Sequence, residues 1–313
     1  MKNIIYNLVC YFTMYNFKTP VRRKIHKLFF KCLQIILFKK QYNNISEKLD
    51  DNYKKLKKNG FVILDKLQLN EQTKFKIDSS ISLAKNIFES ENLHYIKNNK
   101  AYLKGVNFVN TPNAGKTFYE LFTDHYFLKI AKNYLNDIPL LTEIKLLHSP
   151  ITHDNVFNGS QLLHSDHDDD KLMKIFIYLN DVAIESGPLE IVNKNITQEI
   201  IKFSHYRWGQ EHRQYKSHDD KLLNLYPNGN EITTLIGNEG TIIIADTANC
   251  LHRGSRNPTK ERLVLYATYT TRTSYSHPPI HWFFPSNAAA FVSSPLLNLD
   301  NNKNWIGHLA INK

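Results

Sequence analysis

Leu162-Leu163-His164-Ser165-Asp166 and, after an acidic interval, Lys174-Ile175-Phe176-Ile177-Tyr178-Leu179 read as two extended segments in the middle of the chain. The second is rich in β-branched and aromatic residues and is short for a helix, so it fits a buried strand. Segments of the same kind surround them at 140–147, 189–192, 232–236, 241–245 and 263–271. Gly187-Pro188, Pro227-Asn228-Gly229 and Gly237-Asn238 punctuate this region as turns. Upstream, Phe61-Val62-Ile63-Leu64 reads as a first strand, and 70–90 and 115–135 carry helical period. Helices first and many short strands later give an α+β, mainly β chain. The expected core is an antiparallel double sheet, a double-stranded β-helix of the jelly-roll or cupin-like kind, with helices packed outside.

The chain of 313 residues suits one large domain with appendages: a basic amphipathic arm over 1–50, a body over 51–275 and an aromatic-rich tail over 276–313. Residues 195–230 interrupt the strand pattern with a polar, aromatic stretch that reads as a lid-like insertion or as a surface excursion with its own small core. Of the formal net charge of +11, the arm holds +8, from ten Lys and Arg against Glu47 and Asp50; the remainder of the chain therefore holds only +3. The body lacks the basic stripe of a nucleic-acid binder, so no nucleic-acid partner is expected. Three cysteines, Cys10, Cys32 and Cys250, form no framework and point to a reducing, cytoplasmic setting.

No apolar run reaches membrane-spanning length. The opening segment, Ile4 to Phe12, lacks a small-x-small cleavage site and reads as retained. Residues 22–40 align Ile25, Leu28, Phe29, Leu33 and Ile36 on one helical stripe among lysines. Two readings of this helix stand: peripheral contact of residues 1–45 with an anionic membrane surface, or packing on the domain. Ser46 is placed to cap a following helix that stops at Lys58-Asn59-Gly60.

His164 and Asp166 are two residues apart, so in extended backbone they point to the same face. His252 arrives after the segment Gly240-Thr241-Ile242-Ile243-Ile244-Ala245-Asp246 and the turn that follows it. Two imidazoles and one carboxylate on one side of a metal leave the other side open, the pattern that non-haem Fe(II) sites use to admit a cosubstrate and O2. Arg262, ten residues after His252, offers a guanidinium fork suited to the far carboxylate of 2-oxoglutarate. His167, Asp168, Asp169 and Asp170 are neighbours with a different reading: His167 points away from His164, and the aspartates form a solvated strand end or turn.

The order of these motifs resembles the phytanoyl-CoA dioxygenase family of Fe(II)/2-oxoglutarate oxygenases. It is carried by His164-Ser165-Asp166, Tyr178-Leu179-Asn180-Asp181-Val182, Ser186-Gly187-Pro188-Leu189-Glu190, Gly240-Thr241-Ile242-Ile243, His252-Arg253-Gly254-Ser255-Arg256-Asn257 and Arg262, and spans about 55–275. The family often has Pro-Gly-Ser-His where Asn193-Lys194-Asn195 stands here, so the following loop falls outside the likeness. The resemblance implies Fe(II) on His164, Asp166 and His252, and 2-oxoglutarate chelating that iron with its distal carboxylate on Arg262. Gln161, Lys174 and Thr268 are weaker candidates for cosubstrate contacts, each equally readable as an outward strand residue. With Asp166 present, the implied reaction is hydroxylation rather than halogenation, on a small-molecule substrate or acyl chain. Tyr275, Trp282, Phe283 and Phe284 either roof the mouth or pack on the barrel wall. A protein acid such as Glu190 is the alternative partner for Arg262. A Zn(II) hydrolase or isomerase on the same ligands has no use for Arg262, and a silent double-sheet binding protein has no use for the triad.

Overall fold

In a computed structural model of the chain, the described residues are 51–203 and 232–271, apart from 91–92, 97–99, 109–110, 112, 138, 155 and 167, together with Leu28 and Ser274. The expectations for the opening segment, the amphipathic helix 22–40, the cap at Ser46, His167, residues 204–230 and the tail 276–313 with Tyr275 lie outside them, Leu28 aside. In chain order the elements are α1 (Asp51–Asn59), β1 (Phe61–Leu64), α2 (Glu71–Phe88), β2 (Lys104–Val106), α3 (Ala114–Phe122), α4 (His125–Leu135), β3 (Leu140–Ser149), β4 (Met173–Tyr178), β5 (Leu189–Val192), α5 (Lys194–Phe203), β6 (Ile232–Leu235), β7 (Ile242–Asp246), β8 (His252–Arg253) and β9 (Arg262–Thr270).

Gly60 ends α1 with φ of 83°, and its amide returns to Leu56 O at 2.8 Å. A Cβ there would sit 2.3 Å from Cys250 Sγ, so both the turn and the close packing require glycine. The single helix expected over 115–135 is two helices. Asp124 breaks it by capping α4, accepting from Tyr126 N at 3.0 Å and from Thr73 Oγ1 at 2.9 Å. Apolar residues flank that cap on both sides, so the periodicity ran through a real chain break.

Among the described residues, the strands form a six-stranded sheet in the order β1-β7-β4-β9-β3-β2 and a three-stranded sheet in the order β6-β5-β8. All the strand pairings are antiparallel. Side-chain alternation divides the interior into two layers. Ile175 and Ile177 of β4, Ile242 and Ile244 of β7, and Leu265 and Ala267 of β9 pack with Ile77, Leu121, Phe122 and Phe127 of the helices. The alternate residues Tyr178, Ile243, Val264 and Tyr266 meet Leu189, Ile191 and Leu235 of the small sheet. The result is the double-stranded β-helix core with α1 to α4 on the outer face of the large sheet.

One sequence expectation fails here for a physical reason. The segment 162–166 is not a strand of a ladder; it is extended backbone that makes one antiparallel bridge, His164 to His252. The described start of the interruption read over 195–230 forms α5. Asn193 Oδ1 accepts from Asn195 N at 3.0 Å, and Ile200 is buried with Leu163, Val192 and Leu251. That helix has few apolar residues, so its short stripe was hidden by the polar composition of the stretch.

Candidate functional site

The site begins as a backbone arrangement. His164 N donates to His252 O at 3.0 Å and His252 N to His164 O at 2.8 Å, while Asp166 N donates to Thr247 O at 2.9 Å. Between β7 and β8 the chain turns tightly about Asp246. One carboxylate oxygen of Asp246 accepts from Leu172 N at 3.3 Å, and from Ala248 N and Asn249 N at 3.2 Å. The other accepts from the Tyr134 hydroxyl at 2.5 Å and from Asn249 Nδ2 at 2.9 Å. A single buried acid therefore shapes the turn that delivers His252 and also supports Asp166 through Thr247.

His164 Nδ1 lies 2.7 Å from Leu162 O and His252 Nδ1 lies 3.0 Å from Cys250 O. A carbonyl oxygen only accepts, so each Nδ1 carries the hydrogen and Nε2 is the nitrogen each ring can offer to a metal. This is the usual way a protein fixes imidazoles for a metal. The rings are 4.3 Å apart between centroids. One ligand atom from each of His164, Asp166 and His252 falls within 4.8 Å of the others, and His252 Nε2 is 3.7 Å from Asp166 Oδ2. Two imidazoles oriented through Nδ1 and one carboxylate fit a divalent transition metal.

Burial acts to raise the pKa of Asp166, but the neighbouring positive charge, that of the Lys174 ammonium foremost, outweighs it and holds the carboxyl far below the usual range. The Lys174 ammonium donates to Asp166 Oδ2 at 2.8 Å. Burial acts to lower the Lys174 pKa, yet Asp166 and then Glu143 carry it above its ordinary value.

The triad opens into a cavity of about 450 Å³ between the two sheets. Its walls include Leu147, Lys174, Phe176, Val264 and Tyr266, and Arg262 lines it as well. Arg262 is buried. Its Nη2 donates to Ser255 Oγ at 2.8 Å and Ser149 Oγ at 3.2 Å. Its Nε has no hydrogen-bond partner. Among the described residues no carboxylate pairs with it, and Glu190 instead accepts from Arg253 Nε at 2.6 Å. A buried guanidinium with hydroxyl partners and an unmatched N–H can take an anion from outside the protein.

The structure thus brings His164, Asp166, His252, Lys174 and Arg262 around one cavity. Gln161 is not in its wall. Its amide is spent on Asp154 Oδ2 at 2.7 Å and Ser255 O at 2.9 Å, a loop-holding role. Thr268 is also outside the wall, with its hydroxyl 3.4 Å from Glu143 Oε2. Lys174 is an inward residue bound to Asp166. The aspartate run is not wholly solvated: Asp169 is buried and accepts from Thr271 N at 2.8 Å and Thr271 Oγ1 at 2.6 Å. Its short side chain anchors the loop to the end of β9.

Sequence reasoning missed Tyr266, Glu143 and Lys145. The Tyr266 hydroxyl bonds to Glu143, and Glu143 pairs with Lys145. Phe176 stacks on Tyr266 with centroids 5.7 Å apart. Period-two alternation along β9 could have found Tyr266, since Arg262, Val264 and Tyr266 share one face. Glu143 and Lys145 required knowledge of the β3–β9 register, which sets Lys145 opposite Tyr266.

No protein-family model matches the chain, and no curated protein matches it. Among solved structures, it is similar to the non-heme alpha ketoglutarate dependent epimerase SnoN from nogalamycin biosynthesis, at 13% identity over 71% of this chain and 82% of that one, with a TM-score of 0.48. It is similar to HygX from Streptomyces hygroscopicus with nickel, 2-oxoglutarate and hygromycin B bound, at 14% identity over 72% and 88%, TM-score 0.48. A third is EctD from S. alaskensis with 2-oxoglutarate and 5-hydroxyectoine, at 16% identity over 74% and 78%, TM-score 0.46.

Proposed function

We propose that the chain is an Fe(II)- and 2-oxoglutarate-dependent oxygenase that hydroxylates an unactivated C–H bond of a small molecule or acyl chain. The observation that carries this reading is one cavity holding two unlike features. Three potential ligands converge in it, and its wall includes a buried arginine that pairs with no carboxylate among the described residues. The iron and 2-oxoglutarate supply the oxidation when bound: O2 is split between the substrate hydroxyl and succinate, and CO2 is released.

The chain's own residues bind, orient and exclude water. His164, Asp166 and His252 would hold the metal, with the histidine orientations set by Leu162 O and Cys250 O. Arg262 takes the distal carboxylate, its plane fixed by Ser149 and Ser255. Leu147, Phe176, Leu189 and Val264 give the cavity apolar walls, which strengthen the charge pairing inside. A zinc hydrolase on the same three ligands leaves Arg262 without an anion.

The test is succinate formation from 2-oxoglutarate with Fe(II), screened across amino-acid, acyl and polyol substrates with a mass gain of one oxygen as readout. Turnover that persists in Asp166→Ala, or needs no iron, would refute the reading.

A further inference from the structure

We infer that Lys174 is a built-in counter-cation for the metal site: it pairs with Asp166 in the metal-free protein and competes with a divalent metal for that carboxylate. This rests on the metal reading of the triad and adds to it a residue that sets how tightly the metal is held.

Position 174 lies on β4, which is flanked by β7 and β9 near the middle of the large sheet. Its side chain shares the cavity wall with Phe176, Leu147, Val264 and Tyr266, alongside the cations Lys145 and Arg262. A lysine at such a place is costly unless a carboxylate compensates it. Compensation comes from Asp166, at 2.8 Å, with the two side chains 16% and 18% exposed. The oxygen that Lys174 holds is Oδ2, which is also the one 3.7 Å from His252 Nε2. The ammonium therefore bonds the carboxylate oxygen that faces an imidazole lone pair, where a shared metal must also bind. Behind it, Lys174 Nζ lies 5.7 Å from the Tyr266 ring centroid, and Tyr266 bonds to Glu143. Glu143 attracts the same ammonium but is already paired with Lys145.

Two consequences follow from charge alone. An empty triad without Lys174 would hold a largely buried carboxylate without its paired ammonium, so the lysine stabilises the metal-free protein. A divalent cation on Asp166 brings two positive charges beside that ammonium, so the lysine weakens metal affinity. Three good ligands would otherwise bind the tighter-binding divalent metals strongly; a resident ammonium keeps the bound ion exchangeable.

The experiment is calorimetric titration of Mn(II) and Co(II) into metal-free wild type, Lys174→Met and Lys174→Gln, with thermal melts of each before and after metal. Lys174→Gln keeps an N–H donor to Asp166 without the charge, so it separates charge from hydrogen bonding and serves if the Met variant does not fold. The expected result is binding about ten-fold or more tighter in both variants, a lower melting point without metal, and a larger gain on adding metal than wild type shows. Unchanged or weaker metal binding in a cooperatively melting variant overturns the inference. So does a loss confined to 2-oxoglutarate affinity, which would make Lys174 a cosubstrate contact. Wild type that binds neither metal overturns the metal reading beneath it.

Discussion

The metal-ligand end of the cavity and its arginine end are built on opposite plans. At the first, charge is matched inside the protein: Asp166 has Lys174 at 2.8 Å, and both imidazoles donate to backbone carbonyls. At the second, Arg262 has two serine hydroxyls and an Nε with no partner. A matched pair is stable without a visitor, whereas a buried guanidinium held only by hydroxyls gains most when an anion arrives. The same cavity thus has one end whose charges are paired within the protein and one end whose guanidinium meets no carboxylate among the described residues.

The contrast breaks most sharply at the metal end. Asp166→Ala removes a ligand and is expected to weaken Mn(II) binding by more than about 100-fold, since even outer partners of a ligand are worth 10–100-fold. Equilibrium dialysis checks this, and retention of affinity would place the metal elsewhere. At the other end, Arg262→Leu deletes a two-point charged contact. Half-saturation by 2-oxoglutarate should rise about 100-fold, from two charge-assisted bonds at about 1.5 kcal/mol or more each. An unchanged value in a titration would make Arg262 a purely structural residue.

A smaller effect tests the scaffold that serves the metal end alone. Tyr134→Phe removes the hydroxyl that donates to Asp246 at 2.5 Å. Denaturant unfolding should show a loss of about 1.5–3 kcal/mol, the worth of a hydrogen bond to a charged group. 2-Oxoglutarate binding to metal-loaded protein should change little. A variant as stable as wild type would show that the turn does not depend on this bond.

The smallest effect concerns pH. The folded pKa of Asp166 lies below its usual 3.8, so its stabilising contribution is complete above that value and is lost as pH falls below it. Lys174 lies above its usual 10.5, so its contribution is complete below that value and is lost as pH rises past it. The stability difference between metal-free wild type and Asp166→Asn should therefore shrink as pH falls below about 4. Melts across the acid range decide it; a difference that does not shrink there contradicts the pairing.

Much of the large sheet could be read in the sequence, because β4, β7 and β9 are apolar runs whose burial needs no partner to be recognised. The triad was legible for the same reason: i, i+2 geometry holds in any extended backbone, even though 162–166 makes only one bridge. What escaped the reading depends on contacts distant in sequence. Asp124 looked like one polar residue within a helix until its bonds to Thr73 and Tyr126 defined a cap. Lys174 reads equally as a cosubstrate contact or an outward strand residue, because nothing local says which face of β4 meets the cavity. Gln161 sat next to the motif and was drawn into the site by position, while its amide serves Asp154 and Ser255.

The central claim is that His164, Asp166 and His252 hold a metal in the cavity that Arg262 lines, so that metal and 2-oxoglutarate bind together. Calorimetric titration of 2-oxoglutarate into Mn(II)-loaded and metal-free protein tests it most directly. The account predicts one-to-one binding that requires the metal and is lost in Arg262→Leu. Binding of equal strength with and without metal, or none in the loaded protein, would contradict it.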